Sequence, residues 1–519
     1  MENNIIRYPI GVQSFEKLRE LSYIYIDKTD LIYNLVKSSN CVFLSRPRRF
    51  GKSLLLSTIQ AYFEGKKELF KGLAIEQLET EWQPHAILTI SLAKYNSSIE
   101  GSLEEILNNQ FLSWEHQYDV KIKSTNLASR FENIIRAAYQ ASGRPVVILV
   151  DEYDHPLIET MHDPERSEAH RLLLKSIYVN IKDLDQYIRF TMLTGVSRFS
   201  KMTIFSGLNN LQDISLNREY AAICGITDRE ITDNFRQGIE RLAQEYDTDY
   251  DGAVALLKAN YDGYHFAKTS PDIYNPFSLL WALKDSEIGA YWFQSGTPEF
   301  LIRQIQKSGS FLPDMFDETV EVRTLSSNDI SNTKPTALLY QTGYLTIKRF
   351  EKPDLFHLGI PNLEVRKGLF QNLSDCYVDK DGDRVARNVH EVRKLLETKR
   401  VDEAMERLCT FMGGIPYEFA DKATELHYEN NLFIIFMLIG VDARPEWHTS
   451  DGRIDLLLSM RNYIYIIELK RDGTPEEALA QIEKKDYARQ FAGDPRPVIK
   501  LGITFSTRTR NITAWKTQE

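Results

Sequence analysis

Cysteine is scarce in this chain. Four occur in 519 residues, at Cys41, Cys224, Cys376 and Cys409, far apart and with no C-x-x-C pair. That excludes a cysteine-built zinc site and a disulfide framework, and reads as reduced, structural thiols in a cytoplasmic protein. Long hydrophobic runs are missing too: the longest, Leu432 to Val441, is too short to cross a bilayer. The opening MENNIIRYPI holds no cationic stretch followed by an apolar core, so no signal peptide is expected. Positive charge is not in excess. The net charge of −10 argues against a strongly cationic nucleic-acid binder and leaves room only for a local basic groove. No repeat or low-complexity tract is apparent. What remains is ordinary globular material, 43% hydrophobic and 26% charged, with a length that predicts two or three domains.

The N-terminal half is organised around residues 42–56, VFLSRPRRFGKSLLL. Val42 to Ser45 reads as a short buried strand and Leu54-Leu55-Leu56 as the start of an apolar helix, with Gly51-Lys52-Ser53 between them. Strand, tight loop and helix start are the context of a phosphate-binding loop. Unpartnered N–H groups at the helix start and the helix dipole favour an anion there. Lys52 would reach the β/γ-phosphates and Ser53 would ligate Mg²⁺. The usual first glycine of such a loop is replaced here by Arg46. A second motif completes the pattern. Val146 to Val150 are five apolar residues in a row, a strand buried on both faces as in a parallel sheet, and Asp151-Glu152 stand at its C-terminal end. Ligands bind at that end of open α/β sheets. Asp151 would hold the Mg²⁺ shell and Glu152 would polarise the attacking water.

The segments R-P-R-R-F-G-K-S at 46–53 and D-E-Y-D-H-P-L at 151–157 resemble the AAA-ATPase-like family of bacterial proteins, many of which end in a PD-(D/E)XK nuclease-like domain. In that family an arginine at the position of Arg46 is usual. The resemblance implies ATP and Mg²⁺ as cofactors. The expected nucleotide contacts are Arg46, Pro47, Arg48, Arg49, Phe50, Gly51, Lys52, Ser53 and Leu54, with Asp151 and Thr194. It also implies that the Y-I-D-K-T segment at 25–29 lies near the nucleotide.

Elsewhere in this half, Phe15, Leu18 and Leu21 stand at helical spacing, Tyr23 to Ile26 reads as a short strand, and Asp27 to Asp30 caps the next helix. Ala86 to Ser91 is a further strand and 101–141 is helical. Tyr187 to Leu193 is an apolar strand ending in Thr194-Gly195-Val196-Ser197-Arg198. Thr194 or Ser197 at its tip fits a γ-phosphate sensor, and Arg198 would neutralise phosphate charge in cis or across a subunit interface. Strands alternating with helices imply a doubly wound parallel sheet. The 225–283 stretch reads as a helical lid. Its Tyr261-Asp262-Gly263-Tyr264-His265-Phe266 and Tyr274-Asn275-Pro276-Phe277 resemble family signatures, read here as packing aromatics and turns. The charge-rich 376–400 reads as a linker.

Near the C-terminus, Gly452 to Leu458 and Tyr463 to Lys470 are two strands joined by a turn at Arg461-Asn462. A hairpin centred there pairs residues whose numbers sum to 923, so Asp455 lies opposite Glu468, about 5 Å apart at Cβ. Lys470, two residues on, shares the face. Opposed acids destabilise a ladder, and Mg²⁺ supplies the reason to keep them. Asp455 and Glu468 would be ligands, and Lys470 would orient or activate water. This arrangement is similar to the PD-(D/E)XK core. That likeness implies a helix carboxylate, Glu425 with Glu429 as the alternate, and nucleic-acid backbone contacts, probed for DNA first, from Gln481 and Lys485. Residues 461–490 balance six basic against six acidic side chains, which is no electrostatic platform by itself.

The expected fold is α/β. It comprises an AAA-ATPase-like P-loop domain with a helical lid at 1–284, a connecting or regulatory segment at 285–375, and a restriction-endonuclease-like domain at 376–519. The expected activity is an ATPase whose nucleotide state gates a Mg²⁺-dependent nuclease. The alternative is a signalling or scaffold switch whose nuclease-like domain binds nucleic acid or a partner without cleaving. No membrane partner is expected, and a homo-oligomer is left open.

Overall fold

Val146 to Val150 are apolar without a break because they lie in the second strand of a five-stranded sheet and are covered on both faces. The computed structural model describes residues 7–198, 204–205, 208, 210–295, 299–308, 312–316, 318–322, 324–326, 335–378, 381–414, 425–440, 442–449, 452–506 and 508–519. The strands are β1 (Cys41–Ser45), β2 (Ile87–Ser91), β3 (Val146–Asp151), β4 (Ile188–Gly195) and β5 (Gln212–Asp213), in the order β2-β3-β4-β1-β5. Every pairing is parallel. On one face Phe43, Ile148 and Val150 pack with Phe111, Phe131, Ile134 and Ile177, from the helices Ser102–Gln117, Leu127–Ser142 and Pro164–Asp183. The Lys52–Phe63 helix packs on β3 and β4. Alternation of side chains along β3 sends Val147 and Leu149 to the face opposite Ile148, and both are fully buried. The order matters for chemistry, because β4 lies between β1 and β3 and its tip sits between the strand that leads into the phosphate loop and the strand that ends in Asp151.

The chain divides into two compact units, residues 1–294 with 319–362, and 295–318 with 363–519. The stretch 285–375, expected to be one connecting segment, is shared between them. Tyr23 to Ile26, read as a strand, pairs in no ladder among the described residues; Tyr23 N–H donates to the Leu18 carbonyl and Ile24 N–H to that of Arg7, each at 3.0 Å. Within unit 1 the helices Asp228–Asn234, Arg236–Glu245, Tyr250–Tyr261 and Pro276–Asp285 enclose a second core with Tyr8, Ile226 and Tyr274. The aromatics of 261–277 pack, as read from the sequence. Phe50 of the phosphate loop sits edge-on to Tyr264 and Phe266, with centroids 4.8 and 5.4 Å away.

The same turn buries an acid. Asp262 is 1% exposed, and among the described residues no hydrogen bond of ordinary geometry reaches its carboxylate oxygens. Lys258 Nζ stands 3.6 Å off. Burial pushes the carboxyl up to about 6, against the weaker pull of the Gly263 N–H and Lys258. A raised folded-state pKa contributes stability below the unfolded value, and that contribution is lost as pH rises towards 6. Asp262→Asn is therefore expected to raise the melting temperature at pH 7.5, by up to about 3 kcal/mol of stability, and to change little at pH 4. Thermal melts at the two pH values check it; equal shifts at both would show that ionisation is not the cause.

Unit 2 carries a five-stranded sheet in the order Asp442–Thr449, Gly452–Ser459, Ile464–Arg471, Val498–Ser506, Asn511–Gln518. Ile464–Arg471 and Val498–Ser506 run parallel and the other pairs are antiparallel. The parallel pair needs a crossover, which the Pro475–Lys484 helix supplies. Residues 376–400 are not a linker. Gly382–Glu397 is a helix capped by the Asp381 side chain, with Val385, Val392 and Leu396 buried on one stripe beneath the charged face that suggested a loop. Among the described residues no helix is long and apolar enough to cross a membrane.

Candidate functional sites

The unit 1 site starts at Gly51. Its φ of 91° lies in the left-handed region, where glycine carries no Cβ penalty, and it turns the chain from β1 into the helix that begins at Lys52. Ser53, one residue on, donates its hydroxyl to Asp151 Oδ2 at 2.6 Å, 98 residues away. Thr194, level with Leu44 of β1, donates to Asp151 Oδ1 at 2.7 Å. The three predicted residues thus meet at one carboxylate. A hydroxyl held on a carboxylate at the mouth of a phosphate loop is a donor set that fits Mg²⁺.

Lys52 is buried. Its Nζ donates to the Arg46 and Pro47 carbonyls at 2.9 Å each, folding back over the loop. Burial lowers its pKa, while Asp151, Glu152 and Asp154 work to keep it charged. A cation tied to neutral carbonyls is available to an anion.

The remaining loop residues divide by what they touch. Arg46 is 1% exposed. Its guanidinium donates to the carbonyls of Ser45 and Ser215 at 2.9 Å and of Tyr220 and Ala221 at 3.3 and 3.4 Å, and it lies 4.2 Å over the Phe266 ring. Its side chain braces the loop from behind instead of reaching forward. Arg49, in the left-handed region at φ 68°, lies 3.8 Å over Phe277. Arg48 is exposed. Phe50 and Pro47 are buried. Leu54 lines a mostly apolar cavity with Tyr25, Lys28, Phe50, Cys224 and Pro276. Lys28, from the Y-I-D-K-T segment, also bonds Glu230 at 2.5 Å.

Of the two sensor alternatives, Thr194 is on Asp151, and Ser197 donates to Asp154 Oδ2 at 2.5 Å. Asp154 escaped the sequence reading. It is 1% exposed and also accepts the Val196 N–H at 3.1 Å, so it clamps the turn beyond β4. The sequence shows the aspartate in D-E-Y-D but not that partner 42 residues on. Arg198 pairs with Asp213 at 2.7 Å, and its backbone N–H donates to Gln341 Oε1. Its Nε and Nη1 are buried without a hydrogen-bond partner among the described residues.

The unit 2 site forms where the hairpin ladder ends. The pairs run Ser459↔Ile464, Leu458↔Tyr465, Leu457↔Ile466 and Leu456↔Ile467, in the expected register. At the next position side chains replace the ladder. Asp455 N–H donates to Glu468 Oε1 at 3.3 Å, and Leu469 N–H donates to Asp455 Oδ2 at 2.8 Å. Glu468 is fully buried. Burial first, then the neighbouring Asp455 charge, pushes its carboxyl up to about 8, with Lys470 pulling the other way. Two neighbouring carboxyl groups, one of them fully buried, fit a divalent cation. Among the described residues no group of three or more His, Cys, Asp or Glu gathers at metal-binding distance. Glu425 and Glu429 lie in the first turns of the Glu425–Ile439 helix, and their side chains fall outside the described residues.

Gln481 departs from expectation. Its Nε2 donates to Glu468 Oε2 at 2.7 Å and its Oε1 accepts from Lys470 Nζ at 2.5 Å. The amide joins acid to base inside the site and is not turned to an outside partner. Lys485 is exposed at the end of the same helix. Gly502, paired with Glu468, makes this approach fit: a Cβ there would meet the Pro475 carbonyl at 2.3 Å. That glycine gives no signal in the sequence.

Two family models match. One, described as a predicted AAA-ATPase (AAA-ATPase-like), covers residues 9–205, and one of the PD-(D/E)XK nuclease superfamily covers 423–515. A protein of Azotobacter chroococcum mcd 1, "Uncharacterized protein in vnfD 5'region", is 34% identical over 520 residues, covering 98% of either chain.

Proposed function

The chain belongs to the AAA-ATPase-like family with a C-terminal PD-(D/E)XK nuclease-superfamily domain, and on that premise we propose that it binds and hydrolyses ATP in unit 1 and cleaves nucleic-acid phosphodiesters in unit 2. The observation that carries the nuclease reading is the meeting of Asp455, buried Glu468 and Lys470 at the end of one ladder. Mg²⁺ at the two carboxylates would polarise the phosphodiester and offset its charge. Asp455 and Glu468 hold that position, and Lys470, kept in place by Gln481, handles the water proton. In unit 1 the loop amides and Lys52 take the phosphates, the apolar cavity beside Gly51 takes the nucleoside, the helices of 228–285 serve as a lid, and Ser53 with Asp151 holds Mg²⁺. Glu152 is the base for water. Arg198, with two guanidinium nitrogens that have no partner among the described residues, answers to nucleotide state. Nucleotide state gates cleavage, the partner being DNA and the compartment the cytoplasm.

Incubating the full-length chain with single- and double-stranded DNA and RNA, with Mg²⁺ and with or without ATP, tests this. Cleavage that depends on Mg²⁺ and changes with ATP is expected. Hydrolysis of ATP with no cleavage of any substrate would leave a switch in place of a nuclease. The bridge gives a finer expectation: Gln481→Leu should cost about 10–100-fold in cleavage, because the residue orients two site groups without being a ligand. Full activity in that variant would remove Gln481 from the site's machinery.

A further inference from the structure

One ionisable side chain links Glu152 to the body of unit 1. His155 opens the short helix His155–Glu159. Its Nδ1 lies 3.2 Å from the Leu92 carbonyl, and since a carbonyl only accepts, Nδ1 carries a hydrogen. Leu92 directly follows β2, so this bond ties the ring to the sheet. Glu159 Oε1 lies 3.7 Å from Nε2, and Glu152 Oε2 lies 3.8 Å from Nδ1. The ring is 19% exposed and Glu152 is 40% exposed. Glu152 is also held through its backbone. Its φ of 54° is in the left-handed region, uncommon for a residue with a side chain. Its N–H donates to Asp151 Oδ1, and its carbonyl accepts the His155 N–H at 3.0 Å. His155 therefore touches Glu152 twice, by main chain and by ring. The cluster is coupled to the phosphate loop by charge: Glu152 favours the charged form of Lys52, and Arg48 lowers the Glu159 pKa.

We propose that His155 is a positioning residue for Glu152, its ring anchored on Leu92 and Glu159 and holding the Glu152 carboxylate on the Lys52 side of the loop. This rests on the reading of unit 1 as an ATPase with Glu152 as its base. Both carboxylates ask for the imidazolium. Burial opposes that form, but Glu159, the Leu92 carbonyl and Glu152 outweigh it and raise the pKa. The groups around the ring are Glu152 from the end of β3, Glu159 from its own helix, and Tyr95, edge-on at 6.3 Å, whose hydroxyl is bonded to His170. Arg48 and His162 bear on it through Glu159. The hold is present while the ring is charged and is released as pH rises above the ordinary histidine range.

The test is steady-state ATP hydrolysis by the full chain between pH 5.5 and 9.5 for wild type, His155→Gln, His155→Lys and Glu152→Gln, with affinity for a fluorescent ATP analogue measured on each. His155→Gln is expected to bind the analogue within twofold of wild type, to lose about 10–100-fold in kcat with little change in KM, and to lose the alkaline limb of its profile. His155→Lys should regain part of kcat and carry the limb towards the lysine range. A wild-type kcat and profile in His155→Gln overturns the proposal. So does a low kcat that keeps the limb and is not relieved by lysine, since that describes support of the helix alone. Wild-type turnover in Glu152→Gln is a separate failure, of the base assignment beneath it.

Discussion

Asp455→Asn in the full-length chain is expected to abolish Mg²⁺-dependent cleavage, by about 10³-fold or more, and at the same time to make the metal-free protein more stable. The first effect follows from the metal site proposed above, which would lose a ligand oxygen and its charge, worth several kcal/mol in the transition state. The second follows from the ladder end. Glu468 is fully buried and has its carboxyl pushed up to about 8, by burial and by Asp455. A raised folded pKa contributes stability at low pH, and that stability is lost as pH rises from the ordinary glutamate value through about 8. Removing the Asp455 charge lets Glu468 ionise at lower cost, so the gain should be about 1 kcal/mol at pH 8.5 and near zero at pH 5. Asparagine keeps an oxygen for the Leu469 N–H, so the backbone has no reason to move. Thermal melts in a chelator and in millimolar Mg²⁺ separate the two effects. Wild type should gain from Mg²⁺ and the variant should not. A variant that still melts higher with Mg²⁺ and still cleaves would remove Asp455 from the metal site.

The second large effect is expected in unit 1, where binding and turnover should come apart. Lys52→Ala should lose ATP affinity by 30-fold or more, on the scale of a buried charge left without its counter-charge. It also strips the Arg46 and Pro47 carbonyls of their donor, so Lys52→Gln, which can still bond both, separates loss of loop shape from loss of charge. Glu152→Gln should bind ATP as wild type does and turn it over about 10²–10⁴-fold more slowly, the usual contribution of a positioned base. Titration of a fluorescent ATP analogue with steady-state hydrolysis checks both. Equal affinity in wild type and Lys52→Ala would sink the phosphate-loop assignment, and full turnover in Glu152→Gln would move the base elsewhere.

The amino-acid sequence alone determined the features whose causes are local. Strand, loop and helix over 42–56 follow from a run of apolar residues, a glycine that can turn and a second apolar run. The buried character of Val146–Val150 follows from their unbroken hydrophobicity. The register from Ser459↔Ile464 to Leu456↔Ile467, which brings Asp455 and Glu468 together at the ladder's end, follows from a two-residue turn and a side-chain period of two. The helix at 382–397 was hidden because its exposed face is dense in charge, while the three buried residues that define it are seven and four apart. Tertiary structure decided the rest, because the partners come from far along the chain. Arg46 looks like a phosphate ligand beside Lys52, yet its guanidinium meets carbonyls at Ser215, Tyr220 and Ala221, and a buried guanidinium stays where its donors are met. Gln481 lies on a helix that only the parallel pairing of Ile464–Arg471 with Val498–Ser506 brings over the site, and only a glycine at 502 lets it come close. The division of 285–375 between two units has the same origin: burial against distant residues, which no local pattern encodes.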